Sequence, residues 1–168
     1  TITTLGGSIM EPETIKAMNE AAQSFVYMND LMKKAGDVIA EITGADAGLV
    51  TSGAAASLAI AAAACMSGKD LDKVSRLPDT SGMRDEIIIQ KLHRNGFDRC
   101  IRISGAKLVE VGDESRTRPE DVESAINEKT AAIVYFVFDP QSGVLPLEEI
   151  IKIGRSRGVP VIVDAAAE

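Results

Sequence analysis

The chain has 168 residues, 45% of them hydrophobic and 26% charged, which suits a globular domain with a real core. Its formal net charge of -7 and isoelectric point of about 4.8 argue against nucleic acid as a partner, because neutralising phosphates takes clustered lysine and arginine. The two cysteines, Cys65 and Cys100, show neither metal-ligand spacing nor a disulfide framework, which points to a reducing, cytoplasmic setting, and the apolar run 54–66 is too short to span a bilayer.

In chain order, residues 1–10 hold Gly6-Gly7 and read as a loop or an edge strand. Pro12 and two acids then open a helix whose apolar residues are Ile15, Met18, Ala22 and Phe25. A second helix is expected over about 30–43, with Gly44 as a left-handed cap. "AGLVT" (47–51) reads as a buried strand. The alanine-rich stretch 53–67 reads as a helix stopped by Gly68, apolar nearly all round and therefore expected inside a layered core. A short helix and an exposed loop with Pro78 and Gly82 lead to the strand "EIIIQ". A short helix closed by Gly105 and the strand "AKLVEVG" follow. Thr117-Arg118-Pro119-Glu120 reads as a capping box, with Thr117 and Glu120 as its partners, opening a helix to about Ile126. "AAIVYFVF" is a strand, "PLEEIIKIGRSRG" an amphipathic helix ending at Gly158, and "VPVIVD" a last strand.

Strands alternating with helices imply an α/β fold, with a mostly parallel central sheet and helices on both faces. Residues 1–45 are expected to form a helical segment that packs on the core or on a partner subunit, and 46–168 the α/β domain itself. The start without methionine and the stop just past a core-type strand read as part of a longer chain.

Three places are suited to chemistry. At Ser52-Gly53-Ala54-Ala55 a turn opens a helix, where unpartnered N–H groups and the helix dipole stabilise an anion. Ser52 reads equally as an ordinary N-cap. Asp164 closes an apolar strand, the end at which parallel sheets bind ligands; it suits holding a proton on a ring nitrogen, or capping "AAAE". His93, the one histidine, follows "EIIIQ" and suits stacking on a planar ligand or moving a proton, or sits in a polar surface turn. A GxGxxG, a complete P-loop, GxSxG, HExxH and zinc clusters are all missing, so no metal is expected.

The strings "TTLGGS", "AGDVIAEITGADAGLVTSGAAASL", "LPDTSGM", "HRNGFD", "GAKLVEVG" and "VPVIVDAAAE" resemble the large domain of fold-type I pyridoxal-phosphate enzymes. Within that group the chain is similar to the L-seryl-tRNA(Sec) selenium transferase family, whose relatives include D-glucosaminate-6-phosphate ammonia-lyase. The resemblance implies that Ser52, Gly53 and Ala54 bind the phosphate of pyridoxal 5'-phosphate. It implies that His93 stacks on the pyridine ring, that Asp164 pairs with the ring nitrogen, and that Ala166 lies against the other face. The family's Schiff-base lysine lies downstream of the aspartate strand and is therefore expected beyond Glu168. Lys69 follows Ser-Gly but precedes that strand. The function implied is a lyase-like enzyme: loss of an α-proton and β-elimination on a small anionic amino-acid substrate, with Arg84, Arg94 and Arg116 as candidates for gripping the anion. The resemblance also implies a homodimer or larger assembly, aided by "TLGGS". The alternatives are selenium transfer to seryl-tRNA and a non-catalytic α/β binding or scaffold protein.

Overall fold

A computed structural model describes residues 6–137 and 142–166. The readings made of residues 1–5, of Phe138 and of the last two residues lie outside them. The chain divides into two compact units, Thr1–Val50 and Thr51–Glu168, where the sequence reading put the division at 45/46.

The first unit holds α1 (Pro12–Ala21) and α2 (Met28–Thr43). Proline opens α1, its missing N–H costing nothing in a first turn. The helix stops at Ala21, so Phe25 lies beyond it and is fully exposed. Gly44 ends α2 at φ 71, the left-handed cap expected of it. The expected strand at 47–51 does not form. Its apolar side chains stay in solvent, with Leu49 59% exposed. Instead, Gly48 lies so near Gly36 of α2 that a Cβ on either would meet the other's carbonyl oxygen. Backbone contact with a helix takes the place of a ladder.

The second unit contains α3 (Ala54–Ser67), α4 (Leu71–Arg76), β1 (Glu86–Gln90), a 3-10 turn (Lys91–His93), α5 (Arg99–Arg102), β2 (Lys107–Val111), α6 (Pro119–Ala125), β3 (Thr130–Phe136), α7 (Leu147–Arg157) and β4 (Val161–Asp164). The four strands are mutually parallel in the order β2-β1-β3-β4. Parallel strands need covered faces, and side chains alternate between those faces along each strand. Ile87 and Ile89 of β1, Ala132, Val134 and Phe136 of β3 and Ile162 of β4 face one cluster with Leu58, Ala62 and Met66 of α3 and Ile101 of α5. Ile88, Ile133, Tyr135 and Val161 face the other, with Val122 of α6 and Ile150 and Ile153 of α7. The α/β class with helices on both faces is as expected.

Two local readings need correction. Helix α3 is not buried all round: Leu58, Ala62 and Met66, four residues apart, are buried, while Ile60 is 46% exposed. Uniform apolarity hides which face a helix buries; packing on α5, β3 and β4 chooses it. The cap of α6 is shifted by one residue. Arg118 is the N-cap, and its backbone N–H donates to the Asp121 carboxylate at 2.8 Å. Thr117 is instead pulled inward, its hydroxyl buried against Gly112 and without a hydrogen-bond partner among the described residues.

The two faces of α3 give a test. Leu58→Ala is expected to cost about 2–5 kcal/mol in urea unfolding, and Ile60→Ala under about 1 kcal/mol. A cost at Ile60 equal to that at Leu58 would mean that the outer face is covered in solution.

Candidate functional site

In a parallel sheet all carboxyl ends share one edge, and ligands bind where successive connections leave in opposite directions. Here β1 connects leftwards to β2 through α5, on the α3 side. From β2 the chain returns through α6, on the other side, past β1 to β3. The reversal falls between β1 and β3. The exits of these two strands are joined by side chains.

His93 leaves β1 and is 2% exposed, so the surface-turn reading of it is overturned. Its ring stands edge-on to Tyr135, with centroids 4.5 Å apart and planes at 89°, and to Phe136 at 6.5 Å. The Phe136 N–H donates to His93 Nδ1 at 3.5 Å, which leaves the proton of a neutral ring on Nε2. Burial pushes the imidazole below its ordinary 6.5, so the neutral form prevails at neutral pH.

Asp164 ends β4 opposite Phe136, and its carbonyl accepts from Val137 N–H at 2.8 Å. Two residues past Ile162, it falls by alternation on the sheet face that carries α3. Its Oδ1 accepts from the Ala166 N–H at 3.0 Å, a short turn that fixes the carboxylate and brings the exposed Ala166 beside it. Among the described residues no cation pairs with Asp164.

At the start of α3 the N-cap is Gly53, not Ser52. Gly53 has φ 128, a conformation that favours glycine, and a Cβ there would meet nothing within 4 Å. Thr51 Oγ1 accepts from the Gly53 N–H at 3.3 Å and bonds Ser57 Oγ at 2.7 Å, bracing the turn from behind. No side chain caps α3, and no acidic residue lies in its first turn. Ser52, Gly53, Ala54 and Ala55 are all exposed, so the N–H groups of the first turn open to solvent at a positive helix end.

The arginine candidates separate. Arg84 precedes β1 and so belongs to the amino edge, opposite His93 and Asp164. Arg94 is at the carboxyl edge, but its Nε donates to the buried Asp98 at 2.6 Å and its Nη1 pairs with Glu110. Arg116 is exposed in the turn after β2, beside Asp113, whose carboxyl the Ser115 hydroxyl and the N–H groups of Ser115 and Arg116 hold down at about 2. Lys91, also at the carboxyl edge, pairs with Glu114 at 3.0 Å. Among the described residues no group of His, Cys, Asp and Glu is arranged to hold a metal.

Sequence reasoning missed Gln90. It is 1% exposed, and its amide accepts from Leu145 N–H at 2.7 Å and donates to Leu145 C=O at 3.1 Å. A polar amide closing the apolar run "EIIIQ" was the available signal.

These residues define a class: a doubly wound parallel sheet with an anion-ready helix start on one face, and a carboxylate at a strand end on that same face. The family model for L-seryl-tRNA selenium transferase matches residues 2–167, and the chain belongs to that family. It is 42% identical to a 5'-C-glycyluridine monooxygenase-decarboxylase from a Streptomyces species, over 99% of this chain and 44% of that protein. It is 37% identical to D-glucosaminate-6-phosphate ammonia lyase from Salmonella typhimurium, over 99% of this chain and 47% of that one. A solved structure of D-glucosaminate-6-phosphate ammonia-lyase superposes with a TM-score of 0.95 at 37% identity, covering 99% of this chain and 47% of that chain. An aminotransferase of Helicobacter pylori shares the fold at a TM-score of 0.59 and 21% identity, over 94% of this chain and 39% of its own. The chain thus spans less than half the length of the curated relatives it matches.

The depressed pKa of His93 fixes a sign. The unfolded chain takes up a proton near 6.5 and the folded chain at lower pH, so stability is full above 6.5 and falls as pH drops below it towards the depressed value. Denaturation midpoints between about pH 7.5 and about pH 5.5 should show that fall in the native chain and a shallower one in His93→Gln.

Proposed function

We propose that this chain is the cofactor-binding α/β domain of a pyridoxal-phosphate-dependent lyase, acting on a small anionic amino-acid substrate by α-proton removal and β-elimination. The observation that carries the reading is the match to D-glucosaminate-6-phosphate ammonia-lyase along nearly the whole chain. Enzymes of this family and of the aminotransferase fold depend on pyridoxal phosphate. The residues present fit that cofactor. The uncapped start of α3 offers N–H donors and open space at Gly53 for a phosphate. Asp164, on the same sheet face, offers a carboxylate that no cation pairs among the described residues, fit for a protonated ring nitrogen.

When bound, the cofactor supplies an electron sink for charge that develops at the substrate's α-carbon. The chain's own part is to hold and polarise it. The first N–H groups of α3, with Ser52, would hold the phosphate, and Asp164 would pair with the protonated ring nitrogen. His93, a neutral imidazole at the β1 exit, would lie to one side of the ring, and Ala166 would leave room on the other. The Schiff-base lysine and the rest of the substrate pocket are not assigned to any residue of this chain. Arg116 is the substrate-anion candidate that the geometry favours over Arg84 and Arg94.

A cytoplasmic enzyme working as a homodimer or larger assembly completes the reading. Support for a partner comes from the first unit: among its described residues Gly36 alone is buried, while Phe25, Tyr27 and Ile42 lie open to solvent. Among the described residues no helix is long and apolar enough to cross a membrane. A second reading, oxidative decarboxylation, is favoured by the 42% identity to the monooxygenase-decarboxylase. The net charge of -7 speaks against tRNA as substrate.

The test uses the full-length protein, loaded with pyridoxal phosphate and given D-glucosaminate 6-phosphate. Ammonia release without oxygen uptake is the expected result; oxygen-dependent carbon dioxide release would favour the second reading, and a protein that takes up no pyridoxal phosphate would overturn both. Two variants separate the roles. Ala54→Glu puts a carboxylate in the first turn of α3, and should leave stability equal or raised by about 0.3–1 kcal/mol while weakening pyridoxal-phosphate binding at least about tenfold. Asp164→Asn removes a charged hydrogen-bond partner and should lower kcat/KM by about 10–100-fold, as read by steady-state rates.

A further inference from the structure

The β1 exit grips the connection from β3 to α7 at two points. His93 Nδ1 accepts from Phe136 N–H where β3 ends, and Gln90 bonds both backbone groups of Leu145 just before Pro146, the N-cap of α7. Gln90 thereby does with one side chain what a neighbouring strand does with its backbone: it gives one donor and one acceptor to a single residue. The same connection is held from the far side. Thr117 N–H donates to Gly143 C=O at 2.8 Å, and Gly143, at φ 89, lies so near Ser115 that a Cβ would strike its carbonyl oxygen. All of this falls at the reversal between β1 and β3, where the site was located.

We propose that Gln90 is a positioning residue: its amide fixes the 142–145 turn at the mouth of the switch point and so sets the shape of the cofactor site beside His93. This rests on the cofactor reading above. The amide is buried at the end of β1, and its two bonds to Leu145 offset the cost of taking it out of water. Gln90 touches neither the phosphate turn nor Asp164, so it acts through Leu145.

Glutamate is the discriminating substitution. Protonated, it reproduces both bonds, accepting from Leu145 N–H and donating to Leu145 C=O. Ionised, it has no donor for the carbonyl. Burial raises the pKa of such a carboxyl, so the switch falls above the ordinary glutamate range. Among the described residues, the charged and titratable groups on the surrounding elements include Lys91, His93 and Arg94 on its own segment, Glu110 on β2 with Asp113, Glu114 and Arg116 after it, Tyr135 on β3, and Glu148 and Glu149 at the start of α7. All are present in the native chain, which serves as the reference at every pH.

In the full-length protein, two quantities are read from about pH 5 to about pH 8: the hydrogen-exchange protection of the Leu145 amide and the affinity for pyridoxal phosphate. In Gln90→Glu both are expected to match the native protein at the acid end and to fall together, by about tenfold, above one shared midpoint. In Gln90→Met both are expected to be reduced throughout. Protection that stays native in Gln90→Met overturns the clamp. Protection that falls in Gln90→Glu while affinity does not follow it overturns the positioning role and leaves the cofactor reading standing. A native protein that binds no pyridoxal phosphate while Leu145 protection still follows the glutamate overturns the cofactor reading, and the positioning role with it.

Discussion

Four strands running the same way bring four carboxyl ends to one edge, and the direction of winding reverses there between β1 and β3. Everything proposed for this chain depends on that constraint. It places the exits of β1, β2, β3 and β4 together, so that His93, Arg116, Val137 and Asp164 become neighbours of one edge although 71 positions separate the first from the last in sequence number (164 − 93). It also sends Arg84, which lies close to His93 in sequence, to the opposite edge. A residue's side of a strand decides its fate more than its distance along the chain.

The electrostatics of the edge are set by what is left unpaired. Several charges nearby are already matched: Arg94 with Asp98 and Glu110, and Lys91 with Glu114. Exposed pairs of this kind contribute little to stability, but they remove free charge from the surroundings. Against that background, among the described residues, the bare N–H groups of α3 and the carboxylate of Asp164 stand without a charged partner, one open to an anion and one to a cation. A phosphorylated ring with a protonated nitrogen carries both signs at its two ends. The neutral His93 adds no positive charge to oppose the second.

The helices and strands of the second unit were largely legible because their signals are local. Period-two alternation gave β2, apolar runs gave β1 and β3, and Gly44 and Gly158 marked helix ends through the one conformation they favour. Where the outcome depended on a distant partner, the sequence was mute. "AGLVT" has strand-like residues and yet no strand to pair with, and α3 looks the same from every side until the sheet selects Leu58, Ala62 and Met66. The cap of α6 slipped from Thr117 to Arg118 because Thr117 N–H is engaged by Gly143, a contact across the fold. Among site residues, Ser52, His93 and Asp164 carried chemical signals of their own. Gln90 offered only a polar amide at the end of "EIIIQ"; its partner, Leu145, is reached only through the fold.

The orientation of Asp164 carries a consequence for how such a strand can change. Its carboxylate faces α3 because it stands an even count from Ile162, and side chains in a strand obey parity. Adding or removing one residue within Val161–Asp164 would keep the strand and its ladder and yet swing the acid to the α7 face, severing it from the helix start. Inside β4, a single-residue insertion or deletion before Asp164 would therefore turn the acid away from the helix start, a parity constraint that the connections do not carry.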